Sequence, residues 1–577
     1  MSDQAVTEDH SVRELFSYFF TILGPEKNYY LLAIIYAIGI GVLSLGLPIS
    51  VQMLVNTIAN TGLTTPLVIL TLTLFVLLVA SGLLNALRIH LMDILQRRFY
   101  ARMVSEIALR CVYAVNPFFE DQNKGALFNR YFDIIIVQKS MPDLLVGGFT
   151  VILQAFVGFS LVSFYHPLFL AFTLILLFVI WLIWIIWGPR AIRSSVQVSH
   201  KKHATAAWLE GLAASNGFYK SERHIAEALV RTDKVTGEYI DRHVKHFRHY
   251  FSQSICFMIL YAFATAGLLG LGGYLVIAGE LTLGQLVAAE LVLALALLGI
   301  SNLSTYLSYF YELCAAVDEL SLFYVVEQEQ PEAGFEKLEG DGTLEFVQAQ
   351  GDARGYPAKL DFKIAGGAHV LSTVEFRGIQ RELTNFLKRH DRPEGGHIML
   401  GGQDISGIHA HHLRQQVMVL DRPQVIEMSM REYLQLSSVD APSARIREAL
   451  QAVGLTDAVS QLTEGIDTKI AATGWPLTIT ETMQLKLAAA LVAQPRVLVL
   501  GEIYDTVNDA YLRQALKMLR KNGATTLLYF TNRPRNLDFD QYLYLGREEQ
   551  RLYSTVEELC RASRLELCSS EAVSPAP

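Results

Sequence analysis

Six histidines lie between residues 200 and 249, and imidazole is the metal ligand that proteins use most often. His243, His246 and His249 recur every three residues, so a helix would carry them on one broad face, and His200 and His203 lie nearby. A metal site would also require further ligands and outer partners that hold them. A solvated helix face near a basic membrane surface is the more common explanation of such a row. We therefore predict a solvated face here and no metal site.

The elements that carry these residues follow from the distribution of charge. Residues 29–87 and 144–189 contain no Asp, Glu, Lys or Arg, and residues 249–311 contain only Glu280 and Glu290. A membrane-spanning helix needs about 20 mainly apolar residues, so each stretch accommodates two spans. Breaks in the middle of the stretches support this division. We predict six spans, at about 29–56, 66–90, 144–164, 167–187, 255–279 and 283–311.

The orientation of these spans follows from the positive-inside rule. The connection 88–143 carries eight Lys and Arg residues and the connection 188–254 carries eleven, whereas the other three connections carry none. The rule then places both long connections and both termini in the cytoplasm. Residues 1–28 are not arranged like a cleaved signal peptide. They predict an amphipathic entry helix at the inner membrane surface.

Composition excludes several classes of protein. Only 18% of the 577 residues are charged and 51% are hydrophobic, which argues against a disordered chain and an ordinary soluble enzyme. The formal net charge of −8 argues against a globally basic nucleic-acid-binding protein, and we predict no nucleic-acid partner. The lipid membrane is instead the expected environment.

The character of the chain changes after residue 325. We predict a transmembrane domain at 29–325, a linker at 326–340, an α/β domain at 341–560 and a disordered tail at 561–577. Alternation of short β-rich runs with helical stretches predicts a largely parallel sheet in the α/β domain. The β-rich runs are 368–374, 417–420, 497–500, 525–530 and 541–545.

This layout resembles that of an ABC-exporter half-transporter, and the local sequence supports the resemblance over nearly the whole chain. The similar segments are 116–121 with Gly125 (the first coupling-helix region), 279–286 (the lead into the last span), 395–405 (after the first nucleotide-binding helix), and Asp467, Thr468, Gly474, Leu477 and 488–495 (the signature-helix region). The resemblance implies an all-α six-helix transmembrane domain followed by an α/β P-loop-like ABC domain. It also implies coupling through the regions 116–125 and 209–216, and ATP and Mg²⁺ as cofactors by family alone.

The residues that handle phosphate in this family do not match. The family pattern is G-x-x-x-x-G-K-[ST], in which backbone N–H groups wrap the phosphates, Lys reaches the β- and γ-phosphates, and the hydroxyl ligates Mg²⁺. Here Val374, Arg377 and Ile379 stand at the glycine positions, Gln380 at the Lys position, and Arg381 at the hydroxyl position. Bulky side chains resist the positive φ that such loops need. We predict a loop that only packs, in preference to an altered anion site using Arg377 and Arg381.

The other family positions depart in parallel. The corresponding residues are Asp421 for the metal-sensing Gln, Thr478, Ile479 and Thr480 for the centre of the signature, Gly501 for the Mg²⁺-holding Asp, Glu502 for the general base, Asn532 for the switch His, and either Ala353 or Tyr356 for the adenine-stacking aromatic. A lone carboxylate without metal or positioned water is more often solvated than catalytic. We therefore predict a degenerate nucleotide site that does not hydrolyse ATP, with no catalytic residue assigned beyond the position of Glu502.

The sequence thus predicts a subunit of an ABC-exporter-like transport complex of the bacterial inner membrane, with its nucleotide domain and both termini in the cytoplasm. The resemblance implies a dimer with itself or with an intact ABC half-transporter, and a membrane-fusion adaptor as a further partner. Two alternatives stay open. One is a non-transporting membrane scaffold or receptor, and the other is an ATPase with a rearranged site that uses Glu502.

Overall fold

The computed structural model describes residues 12–44, 46, 49–51, 53, 64–115, 124–329, 338–352, 357–438, 441–522, 525–531, 533, 537–547 and 549–563. The described chain divides into two compact units between Glu329 and Gln330. The first unit is helical and the second is an α/β unit. The predicted fold class is confirmed.

The first unit is built from long helices that continue beyond the predicted spans. Its α-helices are α1 (Val12–Leu23), α2 (Lys27–Ser44), α3 (Thr64–Val112), α4 (Asp133–Pro142), α5 (Phe149–Ser163), α6 (Pro167–Ala214), α7 (Glu222–Ile277) and α8 (Leu283–Ser321). At 1.5 Å per residue, the 56 residues of α7 extend about 84 Å, far more than the roughly 30 Å hydrocarbon core of a bilayer. The polar connections are therefore helical extensions of the apolar segments.

Five stretches among the described residues are long and apolar enough to cross a membrane. They are Glu14–Leu43, Leu67–Val112, Leu127–Ser160, Pro167–Ala214 and Glu222–Ile277. The last predicted span lies within the 39-residue helix α8. The entry helix α1 buries Leu15, Ile22 and Leu23 in a core that also contains residues of α3 and α8.

Local sequence explains where the helices of this unit begin and end. His166 caps α6, where Pro167 occupies the first turn without losing a hydrogen bond that the helix needs. After α7, Gly279 adopts a positive φ of 74° in the turn that leads to α8. Thr282 then starts α8 through a capping box with Gln285, which satisfies two backbone N–H groups.

The prediction of a solvated histidine face is wrong for His203. Its side chain is buried, and its Nε2 lies 2.5 Å from Oδ2 of Asp133 in α4. His246 also packs inward, with Nδ1 2.9 Å from Oγ of Ser194. The helical periodicity was correct, but the sequence could not show that α4 would cover this part of α6.

The second unit contains a central six-stranded sheet in the order β12-β11-β3-β10-β9-β6 and a four-stranded antiparallel sheet in the order β2-β1-β4-β5. In the central sheet only β12 is antiparallel to its neighbour. The strands are β1 (Leu344–Asp352), β2 (Pro357–Ile364), β3 (His369–Val374), β4 (Gly395–Leu400), β5 (Gln403–Asp404), β6 (Val417–Leu420), β7 (Met428–Ser429), β8 (Lys469–Ile470), β9 (Val497–Leu500), β10 (Thr526–Phe530), β11 (Gln541–Leu545) and β12 (Gln550–Tyr553).

Helices cover both faces of the central sheet. They are α9 (Arg377–Lys388), α10 (Ala410–Gln416), α11 (Met430–Ser437), α12 (Ser443–Ala452), α13 (Thr456–Gln461), α14 (Ile479–Ala493), α15 (Asp509–Asn522) and α16 (Val556–Ser563). In β9, Leu498 and Leu500 belong to one hydrophobic core, whereas Val497 and Val499 belong to the other. All four are buried, which is why this central parallel strand has a continuous apolar sequence.

Candidate functional site

The predicted phosphate residues lie where strands of the central sheet end. Strands β3, β10, β9 and β6 are neighbours and run parallel, so their carboxyl ends share one edge of the sheet. In open α/β sheets this edge is the usual place for a ligand. The structure thus brings the segment after β3, Gly501 with Glu502, and Asp421 to one edge.

The connection from β3 to α9 is only two residues long. Strand β3 ends at Val374, and α9 begins at Arg377, leaving Glu375 and Phe376 between them. Phe376 is extended, with φ −152° and ψ 152°, and none of the eight described residues 374–381 has a positive φ. Helical geometry therefore occupies the positions at which the family forms a wrapping loop.

The side chains of this segment point to different surroundings. Val374 and Ile379 are buried in the hydrophobic core, with exposed fractions of 6% and 0%. Gln380 and Arg381 are half-buried in α9. The side chain of Ile379, which stands at a glycine position of the family pattern, therefore packs in the hydrophobic core.

An ion pair joins the start of α9 to the segment after β9. Nη2 of Arg377 lies 2.7 Å from Oε2 of Glu502, and the two side chains are 84% and 22% exposed. Glu502 begins a short 3₁₀ segment, Glu502–Thr506. An exposed pair of this kind contributes about 0–1 kcal/mol to stability. The pair also places the guanidinium of Arg377 on one oxygen of the Glu502 carboxylate, at the predicted general-base position.

Gly501 lies against the end of the neighbouring strand β6. Its N–H donates to the carbonyl of Leu420 at 3.0 Å, and a Cβ on Gly501 would lie 3.1 Å from Cα and Cβ of Asp421. A side chain at position 501 would therefore have to displace Asp421. The exposed Asp421 and the start of the Glu502 segment are thus held side by side.

The residues at the signature position form the start of α14. Thr478 is the N-cap: its Oγ accepts from the N–H of Glu481, while its own N–H donates to the Glu481 carboxylate at 2.8 Å. The Thr478 hydroxyl also donates to this carboxylate at 2.9 Å. Ile479 is 59% exposed and Thr480 is half-buried. The retained hydroxyl is thus engaged in capping its own helix.

Sequence reasoning missed the partners of Asp505, which follows Glu502. Its carboxylate accepts hydrogen bonds from the hydroxyls of Tyr529, at 2.5 Å, and Thr531, at 2.9 Å. These bonds connect the Glu502 segment to β10 and its carboxyl end. The hydroxyls at the end of β10 were a usable signal, but their pairing depends on the strand order. Asn532, Ala353, Tyr356 and 116–121 lie outside the described residues.

Comparison with known proteins gives the same architecture. Residues 30–210 match the family model of the ABC transporter transmembrane region. The "Leukotoxin translocation ATP-binding protein LktB" of Mannheimia haemolytica is 22% identical over 533 residues, which cover 89% of this chain and 73% of the relative. The protein of the same name from Bibersteinia trehalosi aligns to the same extent. A bacterial Atm1-family ABC exporter solved with ATP bound superposes with a TM-score of 0.80 at 16% identity, covering 96% of this chain and 99% of that one.

The chain is an ABC-exporter-like membrane protein. In this ABC-exporter-like protein the second unit has the ATP-binding-cassette fold, with α14 starting at the signature position and Glu502 following β9. The scaffold around the site is therefore retained. At the described positions of the predicted phosphate segment, the side chains are an amide at Gln380 and a guanidinium at Arg381.

Proposed function

We propose that this chain is a subunit of an ABC-exporter-like transport complex of the bacterial inner membrane and that its own nucleotide site does not hydrolyse ATP. The observation that carries the proposal is the start of α9 at Arg377, two residues after β3. Without a wrapping loop, few backbone N–H groups can converge on a triphosphate. Without the ammonium of a Lys, the charge of the phosphates also lacks its usual partner.

The residues present do not fit Mg-ATP in the manner that the family implies. Arg381 stands where a hydroxyl would ligate Mg²⁺, and a guanidinium repels the ion. Oε2 of Glu502, the residue at the predicted general-base position, is engaged in an ion pair with Arg377. We derive no hydrolytic step from this site, and we expect the nucleotide unit to act as a dimerising module.

The expected partner follows from the way ABC domains share their sites. Each site joins the phosphate loop of one partner to the signature of the other. A homodimer of this chain would lack both halves in both sites, and a heterodimer with an intact ABC half-transporter would lack one half in each. We propose one of these two dimers, with a membrane-fusion adaptor as a further partner. The resemblance to a leukotoxin translocation protein supports an export role.

The proposed arrangement in the cell follows from the charge distribution and the domain boundaries. The connections 88–143 and 188–254 carry the Lys and Arg residues and face the cytoplasm. The α/β domain at 341–560 and both termini lie on the same side. Reporter fusions at the connections 57–65 and 279–282 should be accessible from outside the inner membrane.

The test is ATP turnover by the purified full chain in lipid nanodiscs, measured with Mg²⁺ and compared with the Glu502→Gln variant. We expect the same background rate for both proteins. The control is Glu448→Gln, which removes a carboxylate from the exposed surface of α12. Turnover that Glu502→Gln abolishes and Glu448→Gln preserves would contradict the proposal and would support an ATPase with a rearranged site.

A further inference from the structure

A buried polar cluster lies where three helices of the first unit meet. Asp133 comes from α4, His203 from α6 and Glu319 from α8, and their exposed fractions are 1%, 5% and 0%. One potential ligand atom from each residue lies within 4.8 Å of the other two. Imidazole and carboxylate groups are the nitrogen and oxygen ligands that Zn²⁺ and related divalent ions take in proteins.

Each carboxylate of this cluster has one oxygen held by a cation. Nζ of Lys202 lies 2.6 Å from Oδ1 of Asp133, and Nε of Arg130 lies 2.6 Å from Oε2 of Glu319. The other oxygen of Asp133 faces Nε2 of His203 at 2.5 Å. The well-buried Arg130 orients the other oxygen of Glu319 toward the cluster, as outer partners of metal ligands do, whereas the more exposed Lys202 competes with an ion for Asp133.

Oε1 of Glu319 is available as a ligand. This atom is buried and has no hydrogen-bond partner within the part of the chain that the structure describes. Nε2 of His200 is 4.0 Å away. Leaving a buried oxygen unpartnered costs about 1–3 kcal/mol, and more when the group is charged. An ion bound here would satisfy it.

We propose that Oδ2 of Asp133, Nε2 of His203 and Oε1 of Glu319 bind one divalent transition-metal ion of the Zn²⁺ class. Tetrahedral ligation with metal–ligand distances of about 2.1 Å places the ligand atoms about 3.4 Å apart. Side-chain rotations that move these atoms by about 1 Å therefore complete the site. The ion replaces the hydrogen bond between His203 and Asp133, and the imidazole then carries its proton on Nδ1. A water molecule completes the fourth position.

The charge balance of the cluster accommodates the ion. Asp133 and Glu319 face Lys202 and Arg130, and the carboxylate of Asp318 adds a third negative charge close by, hydrogen-bonded to His200 at 2.8 Å. The side chain of Lys202 is 40% exposed, so its ammonium can move into water when the metal ion takes Asp133. Arg130 is only 11% exposed and stays on Glu319.

The bound ion would link α4, α6 and α8. Helix α4 precedes the third predicted span, α6 continues the fourth, and α8 continues the sixth. The ion would therefore hold together the inner ends of segments from different parts of the transmembrane domain.

The experiment is a titration of the full chain in detergent with Zn²⁺ after removal of metals by a chelator, using a competing chromophoric chelator to measure affinity. We expect one Zn²⁺ per chain with a Kd in the micromolar range or below. His203→Gln and Glu319→Gln should each weaken binding by more than the roughly 10–100-fold that loss of an outer partner costs. His243→Gln, which removes an exposed imidazole from α7, is the matched control and should leave the affinity unchanged.

Two further measurements remain informative if a ligand variant fails to fold. Lys202→Met removes the cation that competes for Asp133, and we expect it to tighten Zn²⁺ binding, an effect that a purely structural role for Lys202 would not produce. With Co²⁺ as the probe, the wild-type chain should show the strong visible absorption of a four-coordinate ion. Binding no tighter than millimolar, or an equal Kd in the wild type and both ligand variants, would overturn the proposal.

Discussion

Restoring the two missing phosphate side chains should not restore tight ATP binding. The double variant Gln380→Lys and Arg381→Ser supplies the ammonium and the hydroxyl of the family pattern. It leaves the helix start at Arg377 in place, so it adds no backbone N–H groups to a phosphate site. The variant therefore separates the contribution of the side chains from that of the loop.

The expected affinity follows from two magnitudes. Millimolar and micromolar binding differ by about 4.1 kcal/mol. The added ammonium contributes about 1.5–3 kcal/mol as one hydrogen bond to a charged group, whereas the added hydroxyl only replaces the guanidinium of Arg381 as a donor. If the wild-type chain binds ATP in the millimolar range, the double variant stays about 1–2.5 kcal/mol short of micromolar binding. Its Kd should then be roughly 5- to 100-fold above a micromolar value.

A complete graft of the loop carries a further cost that the structure makes explicit. Ile379 is fully buried in the core. Truncating such a side chain to Ala costs about 2–5 kcal/mol, and glycine in a helix adds about 1 kcal/mol. A graft that includes Ile379→Gly should therefore lower the melting temperature by several degrees or more. Restoring the glycine of the family pattern at position 379 would thus remove a side chain that the core of the α/β unit needs.

The assay is binding of labelled ATP to the full chain in nanodiscs, with and without Mg²⁺. The control combines Asn385→Lys with Arg381→Ser, which has the same net charge as the double variant but places the ammonium away from the first turn of α9 and so controls for non-specific attraction. A micromolar, Mg²⁺-dependent Kd in the double variant that is absent from the control would refute the argument that the backbone loop is required.

Three further predictions concern the stability of the α/β unit, measured as the melting temperature of the full chain in detergent. Burial and the charge of Arg520 lower the pKa of His369 to about 4, so the neutral ring stabilises the fold above the ordinary His pKa of about 6.5, and up to about 3 kcal/mol is lost as the pH falls from 6.5 to 4. His369→Asn should make the melting temperature fall less between pH 6.5 and pH 4. An unchanged pH dependence in this variant would contradict the assignment of the loss to His369. Burial and nearby carboxylates raise the pKa of Glu382 to about 7, so its cost to the fold grows as the pH rises from about 4.5 to 7. Glu382→Gln should therefore melt higher than wild type at pH 8 and close to it at pH 4, and the opposite order would show the carboxylate to be stabilised. Thr478→Ala removes a helix cap worth about 1 kcal/mol and should lower the melting temperature by about 2–4 °C, whereas an equal drop in Thr480→Ala would assign the loss to the surface rather than the cap.

The β-rich runs and the starts of the fourth and sixth spans at Pro167 and Leu283 could be predicted because they are local. Strands β6, β9 and β11 coincide with the predicted runs, and β3 and β10 each begin one residue later. The apolar runs of the spans are equally local. By contrast, the pairing of Arg377 with Glu502 joins residues far apart in the chain. It depends on which strands are neighbours, and side-chain patterns do not specify that.

The order of residue types determined the two-part architecture of this protein. Long charge-free runs are typical of membrane-spanning helices, and short apolar runs are typical of buried parallel strands. Both patterns can be recognised within a single segment of the chain. The same order of residues also predicted positions at which the phosphate chemistry departs from that of the family. Tertiary structure alone decided that α9 starts close behind β3, that Ile379 belongs to the core, and that Asp133, His203 and Glu319 meet. These outcomes depend on packing between elements that are distant in the chain. Burial makes the charges and volumes of the contacting side chains important for stability, and the sequence does not show which side chains will be in contact.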